Sequence, residues 1–271
     1  MTAIDLKSSR NDHIKSATQL RRRKHRNLRN RTLIDGVREL SRALDAGFSI
    51  VEAFFCPSLC QSPEAQALLE RLEQLEVTRY RVTPQLFQKL AFGDRAEGVL
   101  AVAEVPTTHL ESLELPERPL VAVLEGVEKP GNLGAVFRSA EAAGVSAVIL
   151  ADGRTDIFNP AAIRASLGAV FCLCVGAGTS DEVLAWLRQQ NLTMFAARVD
   201  GSVPYTEVDF SAGSAIILGS EEAGLTSAWT ADDISAVRLP MAGRIDSLNV
   251  STTAAVLFYE AHRQRQVARG V

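Results

Sequence analysis

The chain has 271 residues and a formal net charge of -3, with 46% hydrophobic and 23% charged residues. This length allows one large domain or two ordinary ones, and the composition is typical of a globular protein rather than a disordered or fibrous one. No apolar stretch approaches the roughly 20 residues of a membrane span, and no apolar secretory segment follows the start, so we expect a cytoplasmic protein without a membrane partner.

The first 34 residues are strongly basic, with ten Lys or Arg against two Asp or Glu. The charge is densest in "LRRRKHRNLRNR", residues 20–31. Because like charges in so short a segment repel one another, an anionic partner such as nucleic acid is favoured over the alternative, a solvated and flexible arm. We therefore predict a basic N-terminal arm over residues 1–32 that contacts RNA. The candidate contacts are Arg21, Arg22, Arg23, Lys24, Arg26, Arg29 and Arg31.

Residues 33–105 alternate between helical and strand patterns. Apolar spacing predicts helices in "IDGVRELSRALDAG", which Gly47 should end, in "PEAQALLERLEQLEV" and in "PQLFQKLAF", which Pro84 begins. Strands are predicted in "SIVEAFFC", "TRYRVT" and "GVLAVAEV". The pattern predicts a small α/β domain, followed by a proline-rich linker over residues 106–119.

Beyond residue 120 the alternation is longer and the strands are more apolar. Strands are predicted in "LVAVLE", "SAVIL", "VFCLCV", "TMFAARV", "AIILG" and "AVRLP". Helices are predicted over residues 132–143, 160–168, 180–190 and 249–264, and Thr179 with Glu182 offers a capping box for the third of them. Short, apolar, β-branched strands are typical of sheets covered on both faces, so we expect a largely parallel α/β sheet of about six strands over residues 120–271.

The four cysteines do not have metal-site spacing. Cys56 and Cys60 form C-x3-C, Cys172 and Cys174 form C-x-C, and no histidine lies nearby, so we expect no metal. Cys172 and Cys174 alternate within an apolar run and are predicted to be small residues of a buried strand. The four histidines are scattered along the chain and lie outside the glycine-containing turns. A hydrolase that uses a histidine base is therefore not favoured.

Three polar, glycine-containing segments follow strands of the C-terminal part. They are "EGVEKPGNLGAVFRSAEAAG", "AIILGSEEAGL" at residues 215–225 and "RLPMAGRIDSLNVSTTAAVLFYE" at residues 238–260. The glycines of the first match neither G-x-G-x-x-G nor G-x-x-x-x-G-K-[ST]. Each segment alone has an ordinary explanation, such as glycines with positive φ or polar helix caps. Together, at the carboxyl ends of parallel strands, they predict a ligand site.

In this order the segments resemble the three motifs of the SpoU/TrmH class of RNA ribose 2'-O-methyltransferases. The likeness is carried by "NLGAVFRSAEAAG", "LGSEEAGL" and "LPMAGRIDSLNVSTTAAVLFYE" and spans residues 120–265. The stretch "LRRRKHRNLRNRTLIDGVRELSRALDAG" resembles the L30e-type RNA-binding domain of many members. The resemblance implies an α/β fold with a C-terminal α/β-knot (SPOUT) domain containing a deep trefoil knot, a smaller N-terminal L30e-like domain, and a homodimer.

The resemblance also implies S-adenosylmethionine as the methyl donor. Its pocket would be formed by Leu218, Gly219, Leu239, Met241, Ser247, Leu248 and Asn249. The catalytic set would be Asn132, Arg138, Glu221, Ser247 and Asn249.

Within this catalytic set, Arg138 would clamp a phosphate and orient the 2'-hydroxyl, because a guanidinium stays protonated and is a poor base. Asn132 would hold Arg138 or the ribose, and Glu221 would position either the cofactor or Arg138. Arg164 is a second phosphate contact or an ordinary surface arginine. The stripe of Val250, Ala254, Leu257 and Ala261 on the last helix suits a dimer interface or a core-facing helix equally.

The expected reaction is methylation of a ribose 2'-hydroxyl in structured RNA, with ribosomal RNA ahead of transfer RNA. A non-catalytic RNA-binding or assembly protein that retains the fold is the alternative. A nicotinamide-dependent dehydrogenase would fit the sheet but not the glycine spacing.

Overall fold

The computed structural model describes residues 3–75, 77–91 and 97–270. Contacts divide the chain into two compact units. The first comprises Met1–Pro106 and Phe158–Cys172, and the second comprises Thr107–Ile157 and Leu173–Val271. Residues 107–119 of the predicted linker belong to the second unit, whereas residues 158–172, predicted to belong to the C-terminal domain, group with the first unit.

The first unit is built on a five-stranded sheet with the order β1-β4-β3-β5-β2. Strand β5 is antiparallel to β2 and β3, while β4 is parallel to β1 and β3. Its elements up to residue 106 are β1 (Ile4–Leu6), α1 (Asp12–Gln19), α2 (Arg23–Arg29), β2 (Arg31–Asp35), α3 (Val37–Asp45), β3 (Ile50–Phe55), α4 (Pro63–Gln74), β4 (Thr78–Val82), α5 (Pro84–Leu90) and β5 (Val99–Glu104).

The basic N-terminal segment is part of this unit and not an arm outside it. Apolar residues of α1, Ile14 and Ala17, and the following Leu20 are buried in a cluster with Leu86 and Phe87 of α5. Burial of this apolar surface fixes the segment to the sheet. The amphipathic helix α1 precedes the dense basic run and has Lys15 as its only Lys or Arg, so the predicted arm over residues 1–32 needs correction.

The second unit contains a seven-stranded sheet with the order β10-β12-β9-β11-β6-β7-β8, and each neighbouring pair is parallel. Elements from residue 107 onward are β6 (Leu120–Glu125), α6 (Pro130–Ala143), β7 (Ala147–Ala151), α7 (Pro160–Ala165, in the first unit), β8 (Cys174–Gly178), α8 (Ser180–Gln189), β9 (Thr193–Ala197), β10 (Val203–Pro204), β11 (Ser214–Leu218), β12 (Ile234–Arg238) and α9 (Val250–Ala268).

The largely parallel sheet is confirmed, with the two-residue β10 as the additional strand. Strands β6, β7 and β11 lie inside the sheet and are buried along their whole length, which explains their continuous apolar runs. The predicted capping box at Thr179 and Glu182 is also present and begins α8. No helix in the described ranges is long and apolar enough to cross a membrane.

For this part of the chain one sequence-based prediction is wrong, and the structure decides between two alternatives that the sequence left open. Cys172 and Cys174 are exposed, because residues Ala169–Cys172 form a 3-10 turn and Cys174 begins the edge strand β8. The apolar stripe of α9 is core-facing and not a dimer interface: Ala254, Leu257 and Ala261 have no exposed surface, since α9 packs on α6.

Candidate active site

The three glycine-containing segments emerge at one edge of the second unit's sheet. The first connects β6 to α6, the second follows β11, and the third runs from β12 to α9. Because β6, β11 and β12 all belong to the same parallel sheet, their carboxyl ends lie on the same side. This arrangement brings the segment after Glu125 next to the segments after Leu218 and Arg238, which lie much later in the sequence.

Glu221 is the centre of a hydrogen-bond network at this edge. Lys129 Nζ donates to Glu221 Oε2 over 2.7 Å, and Asn132 Nδ2 donates to Glu221 Oε1 over 2.8 Å. Asn249 Nδ2 donates to the same Oε1 and lies 3.3 Å from Asn132 Oδ1. One carboxylate thus joins the start of α6, the loop after β11 and the start of α9. Three residues of the predicted catalytic set are in direct contact.

The environment of Glu221 keeps it ionised. The hydrogen bond and charge of Lys129 lower the pKa of the Glu221 carboxyl below its ordinary value, and hydrogen bonds from Asn132 and Asn249 add to this effect. A carboxylate with a lowered pKa and three donors is a weak proton acceptor. The geometry therefore suits Glu221 to positioning the surrounding side chains rather than to acting as the general base.

Lys129 was not among the residues singled out by the sequence. It stands at the N-cap position of α6, immediately before Pro130, and its side chain is largely exposed. A lysine beside the first motif is an ordinary surface residue in sequence terms. Only the approach of the loop after β11 gives it a carboxylate partner.

Replacing Lys129 with methionine should raise the pKa of Glu221 toward the ordinary glutamate value of about 4.3, because the variant loses the hydrogen bond and the positive charge. A depressed carboxyl pKa contributes stability above the unfolded-state pKa, and this contribution is lost as pH falls through the folded-state pKa. The native network should therefore persist to lower pH than that of K129M. Carbon-13 NMR titration of the glutamate carboxyl carbons measures the shift.

K129R is the matched control for this titration, since it retains a cation that reaches the carboxylate. Its Glu221 carboxyl should titrate close to the native one. An unchanged Glu221 pKa in K129M would show that Lys129 does not hold this carboxylate in solution.

Asn249 has two functions at the beginning of α9. Its Oδ1 accepts from the backbone N–H of Ser251 over 2.9 Å and from the Ser251 hydroxyl over 2.6 Å, which makes it the helix N-cap. Its Nδ2 group faces the Glu221 network. Capping therefore fixes the amide orientation that the network uses.

Arg138 is separate from this network. It lies on α6 with its side chain exposed, and within the described ranges it has no hydrogen bond or ion pair. Six residues of helix correspond to a rotation of about 240°, so Asn132 and Arg138 leave α6 in different directions. Within the described residues neither Asn132 nor Glu221 is hydrogen-bonded to Arg138, so the role of each in holding Arg138 stays a prediction, and the guanidinium is available to a ligand.

The loop after β11 forms the tight turn that its glycines predict. Ser220 and Gly224 pair as an antiparallel bridge, with N–O distances of 3.2 and 3.0 Å, and Gly224 has a φ of +66°. A Cβ atom on Gly219 would lie 2.2 Å from the backbone carbon of Gly224. This close approach requires glycine at position 219.

The adjacent loop between β12 and α9 suits a nucleoside-type cofactor. Leu239, Met241 and Leu248 are half-buried, and Leu218 is buried at the end of β11. In the part of the chain that the structure describes, residues 239–248 make no hydrogen bonds with other protein groups. Apolar walls beside free backbone donors and acceptors fit an adenosine moiety. Ser247 is exposed in this loop and is not part of the Glu221 network.

The basic residues predicted to bind RNA differ in their burial and hydrogen bonding within the first unit. Arg26 is 4% exposed, and its Nη1 donates to the carbonyls of Leu20 and Arg21 over 2.8 and 2.9 Å. Two further side chains also donate to protein acceptors, namely Arg21 to the carbonyls of Lys89 and Ala91 and Arg29 to Ser16 and Gln19. Three side chains of the segment are exposed, namely those of Arg22, Arg23 and Lys24, while Arg31 is half-buried.

Arg164 also has a protein partner within the first unit. Its Nη1 lies 3.2 Å from Oδ2 of Asp35, a buried carboxylate whose side chain is 3% exposed. Pairing of this kind compensates the burial of Asp35. The geometry favours the structural role for Arg164 over the predicted phosphate contact, which stays a prediction.

We expect Arg26→Ala to lower the free energy of unfolding by about 2 kcal/mol, since the buried carbonyl of Leu20 and the partly buried carbonyl of Arg21 lose a charged donor. Lys24→Ala should leave the free energy of unfolding unchanged and weaken RNA binding. The slope of the logarithm of the RNA-binding constant against the logarithm of the salt concentration should become smaller in magnitude by about one. Chemical denaturation and RNA titration at several salt concentrations distinguish the two. Native stability in R26A would contradict the structural role of this arginine.

Comparison with known proteins places these features in a family context. Residues 119–259 match the SpoU rRNA Methylase family, and residues 11–101 match the MRM3-like substrate binding domain. The second match begins inside the predicted arm, in agreement with the folded N-terminal segment.

Individual relatives cover almost the whole chain. A 23S rRNA (uridine(2479)-2'-O)-methyltransferase of Streptomyces viridochromogenes is 30% identical, over 89% of this chain and 86% of its own. A crystal structure of an RNA 2'-O ribose methyltransferase is 40% identical, with a TM-score of 0.84 and coverage of 97% of this chain and 99% of its own. An AdoMet-bound rRNA methyltransferase from Sinorhizobium meliloti is 26% identical, with a TM-score of 0.87 and coverage of 96% and 98%.

Proposed function

The chain belongs to the SpoU rRNA methylase family, and from this premise we propose that it transfers a methyl group from S-adenosylmethionine to a ribose 2'-hydroxyl of 23S rRNA. The family relationship confirms the resemblance seen in the three motifs. It favours an enzyme over a non-catalytic RNA-binding protein, and ribosomal RNA over transfer RNA. The choice of 23S rRNA rests on the names of the relatives.

We assign the site on one observation, which is that Asn132, Glu221 and Asn249 lie together. They come from all three motif segments and meet through one carboxylate. The glycine turn and the loop without internal hydrogen bonds lie in the same part of the sheet edge, and they suit the methyl donor. Leu218, Gly219, Leu239, Met241, Ser247 and Leu248 would form its pocket, with Asn249 beside them.

Bound S-adenosylmethionine supplies an electrophilic methyl group, so the protein mainly has to place the ribose oxygen in line with it. We assign this positioning to Arg138. Its exposed guanidinium would bind the phosphate next to the target ribose and hold the 2'-hydroxyl in place. A guanidinium does not accept the proton, and Glu221 is a weak acceptor, so the proton would leave to phosphate or water.

RNA recognition outside the site is assigned to the exposed basic residues of the first unit, with Arg22, Arg23 and Lys24 as the leading candidates. Their charge would add sequence-independent affinity for phosphates. We also propose that the enzyme acts in the cytoplasm, together with its rRNA substrate.

We further propose a homodimer, as in other members of the family. The surface would include exposed apolar residues of the second unit, such as Ile245 and Tyr259, rather than the buried stripe of α9. Analytical ultracentrifugation of the native protein tests this part separately from activity.

Mapping of 2'-O-methyl groups tests the function directly. Ribosomal RNA from cells with and without the gene, and from cells that express the Arg138→Ala variant, should differ at one 23S position, which is methylated only with the native protein. Purified protein should methylate the same position in unmodified 23S rRNA. Tight RNA binding without methyl transfer would support the non-catalytic alternative, and modification confined to transfer RNA would refute the rRNA assignment.

A further inference from the structure

A buried carboxylate at the end of β6 is not used in the mechanism above. Glu125 is 3% exposed although it belongs to the otherwise apolar run "LVAVLE". Its Oε1 accepts from the Ser180 hydroxyl over 2.6 Å and from the Thr226 hydroxyl over 2.7 Å. Its Oε2 accepts from the backbone N–H of Thr226 over 2.7 Å.

Three short hydrogen bonds to the buried Glu125 carboxylate restrict the positions of the groups that donate them. An ionised group loses its hydration on burial and is retained only when protein donors replace the water. Hydrogen bonds to a charged acceptor are also about twice as strong as neutral ones. The donors of Glu125 are thereby fixed relative to β6.

Thr226 supplies two of these donors and lies at the end of the loop after β11. The loop begins at Leu218, buried in β11, and its turn is closed by the Ser220–Gly224 bridge. Thr226 therefore attaches the distal end of the loop to the neighbouring strand β6. The segment held between these two attachments carries Gly219 and Glu221.

Ser180 supplies the second hydroxyl donor to the same oxygen atom, Oε1 of Glu125. It is the first residue of α8, and its backbone N–H donates to Asp152 Oδ2 over 3.0 Å at the end of β7. Through this contact Glu125 attaches a helix that contains no residue of the proposed cofactor pocket. Glu125 thus has one partner, Thr226, in the loop at the proposed site and another partner, Ser180, in a helix outside it.

We propose that Glu125 is a positioning residue for methyl-donor binding, which acts through Thr226 by holding the loop after β11 in its binding conformation. The inference rests on the proposed function and adds to it one residue, Glu125, and the contact with Thr226 through which this residue acts. Preorganisation of a loop lowers the ordering cost that the ligand must otherwise supply. The Ser180 contact holds α8 and has no part in this effect.

Thr226→Val and Ser180→Ala form a matched pair, because each removes one hydroxyl donor from the same oxygen atom. In T226V the dissociation constant for S-adenosylmethionine, measured by calorimetry, should rise about fivefold, as expected for one lost hydrogen bond. KM for the methyl donor should rise with it, while KM for RNA stays constant. S180A should lower the melting temperature without changing this dissociation constant.

Amide hydrogen exchange of the ligand-free protein provides a readout that is independent of the cofactor. Exchange should become faster at residues 219–226 in T226V but not in S180A. Glu125 itself is tested with E125Q in a double-mutant cycle. Because the charged acceptor is absent in E125Q, the additional T226V change should cost less cofactor affinity there than in the native background.

Three outcomes would overturn the inference: an unchanged dissociation constant in T226V, an equal rise in T226V and S180A, or additive effects in the cycle. An equal rise would mean that both contacts serve general stability. Failure of the native protein to bind S-adenosylmethionine would instead refute the proposed function, so the two failures are distinguishable.

Discussion

Replacement of Arg138 by alanine should slow methyl transfer by about a hundredfold to a thousandfold, the range expected when a group that positions a reacting atom is removed. The side chain is exposed and has no hydrogen bond or ion pair in the described ranges, so its loss should not disturb the fold. It is also separate from the Glu221 network, so binding of S-adenosylmethionine should be retained. Single-turnover kinetics and calorimetry measure the two effects on the same protein.

Arg138→Lys is the informative companion variant. Lysine retains the charge but not the planar, two-pronged hydrogen bonding of the guanidinium. If Arg138 orients a phosphate through that geometry, the lysine variant should recover RNA affinity more fully than the rate of methyl transfer. A native single-turnover rate in R138A would remove the assigned mechanism.

A second large effect is expected at Gly219, where alanine should abolish measurable binding of S-adenosylmethionine. The added Cβ would lie 2.2 Å from the Gly224 carbon and 2.3 Å from its oxygen, far inside van der Waals contact. Both neighbours are backbone atoms, so the turn itself would have to open. The opened turn would displace Glu221 from Lys129 and from the two asparagines.

Gly131→Ala is the matched control for this change. A Cβ atom at position 131 would have no neighbour within 4 Å, and the residue lies in the first turn of α6, where alanine is favourable. The control should bind the cofactor as the native protein does, with equal or slightly higher thermal stability. Undiminished binding in G219A would show that the close turn is not needed for the pocket.

Much of the second unit could be predicted because its elements are governed by local patterns. The strands inside the sheet are buried on both faces, so "LVAVLE" and "AIILG" read as continuous apolar runs. The capping box of α8 depends on residues only three positions apart. The three motifs also identified Asn132, Glu221 and Asn249 of the Glu221 network, because the order of the motifs along the chain is specific.

The incorrect predictions share a physical cause. Cys174 has apolar neighbours in the sequence but lies on an edge strand, a position that depends on the strand order and not on the pattern of one strand. Arg26 belongs to a strongly basic segment but is buried, because its guanidinium meets carbonyls that the fold places around it. In both cases local sequence indicates polarity but not which groups will be neighbours.

The amino-acid sequence by itself determined the α/β alternation, the limits of most strands and helices, and the family motifs, because each depends on residues close together along the chain. Only the tertiary structure decided that Lys129 holds Glu221 across 92 positions and that Glu125 holds Thr226 across 101. A parallel sheet places the ends of non-consecutive strands side by side, so such partners have no fixed sequence separation. The contacts that organise the site are therefore set by strand order.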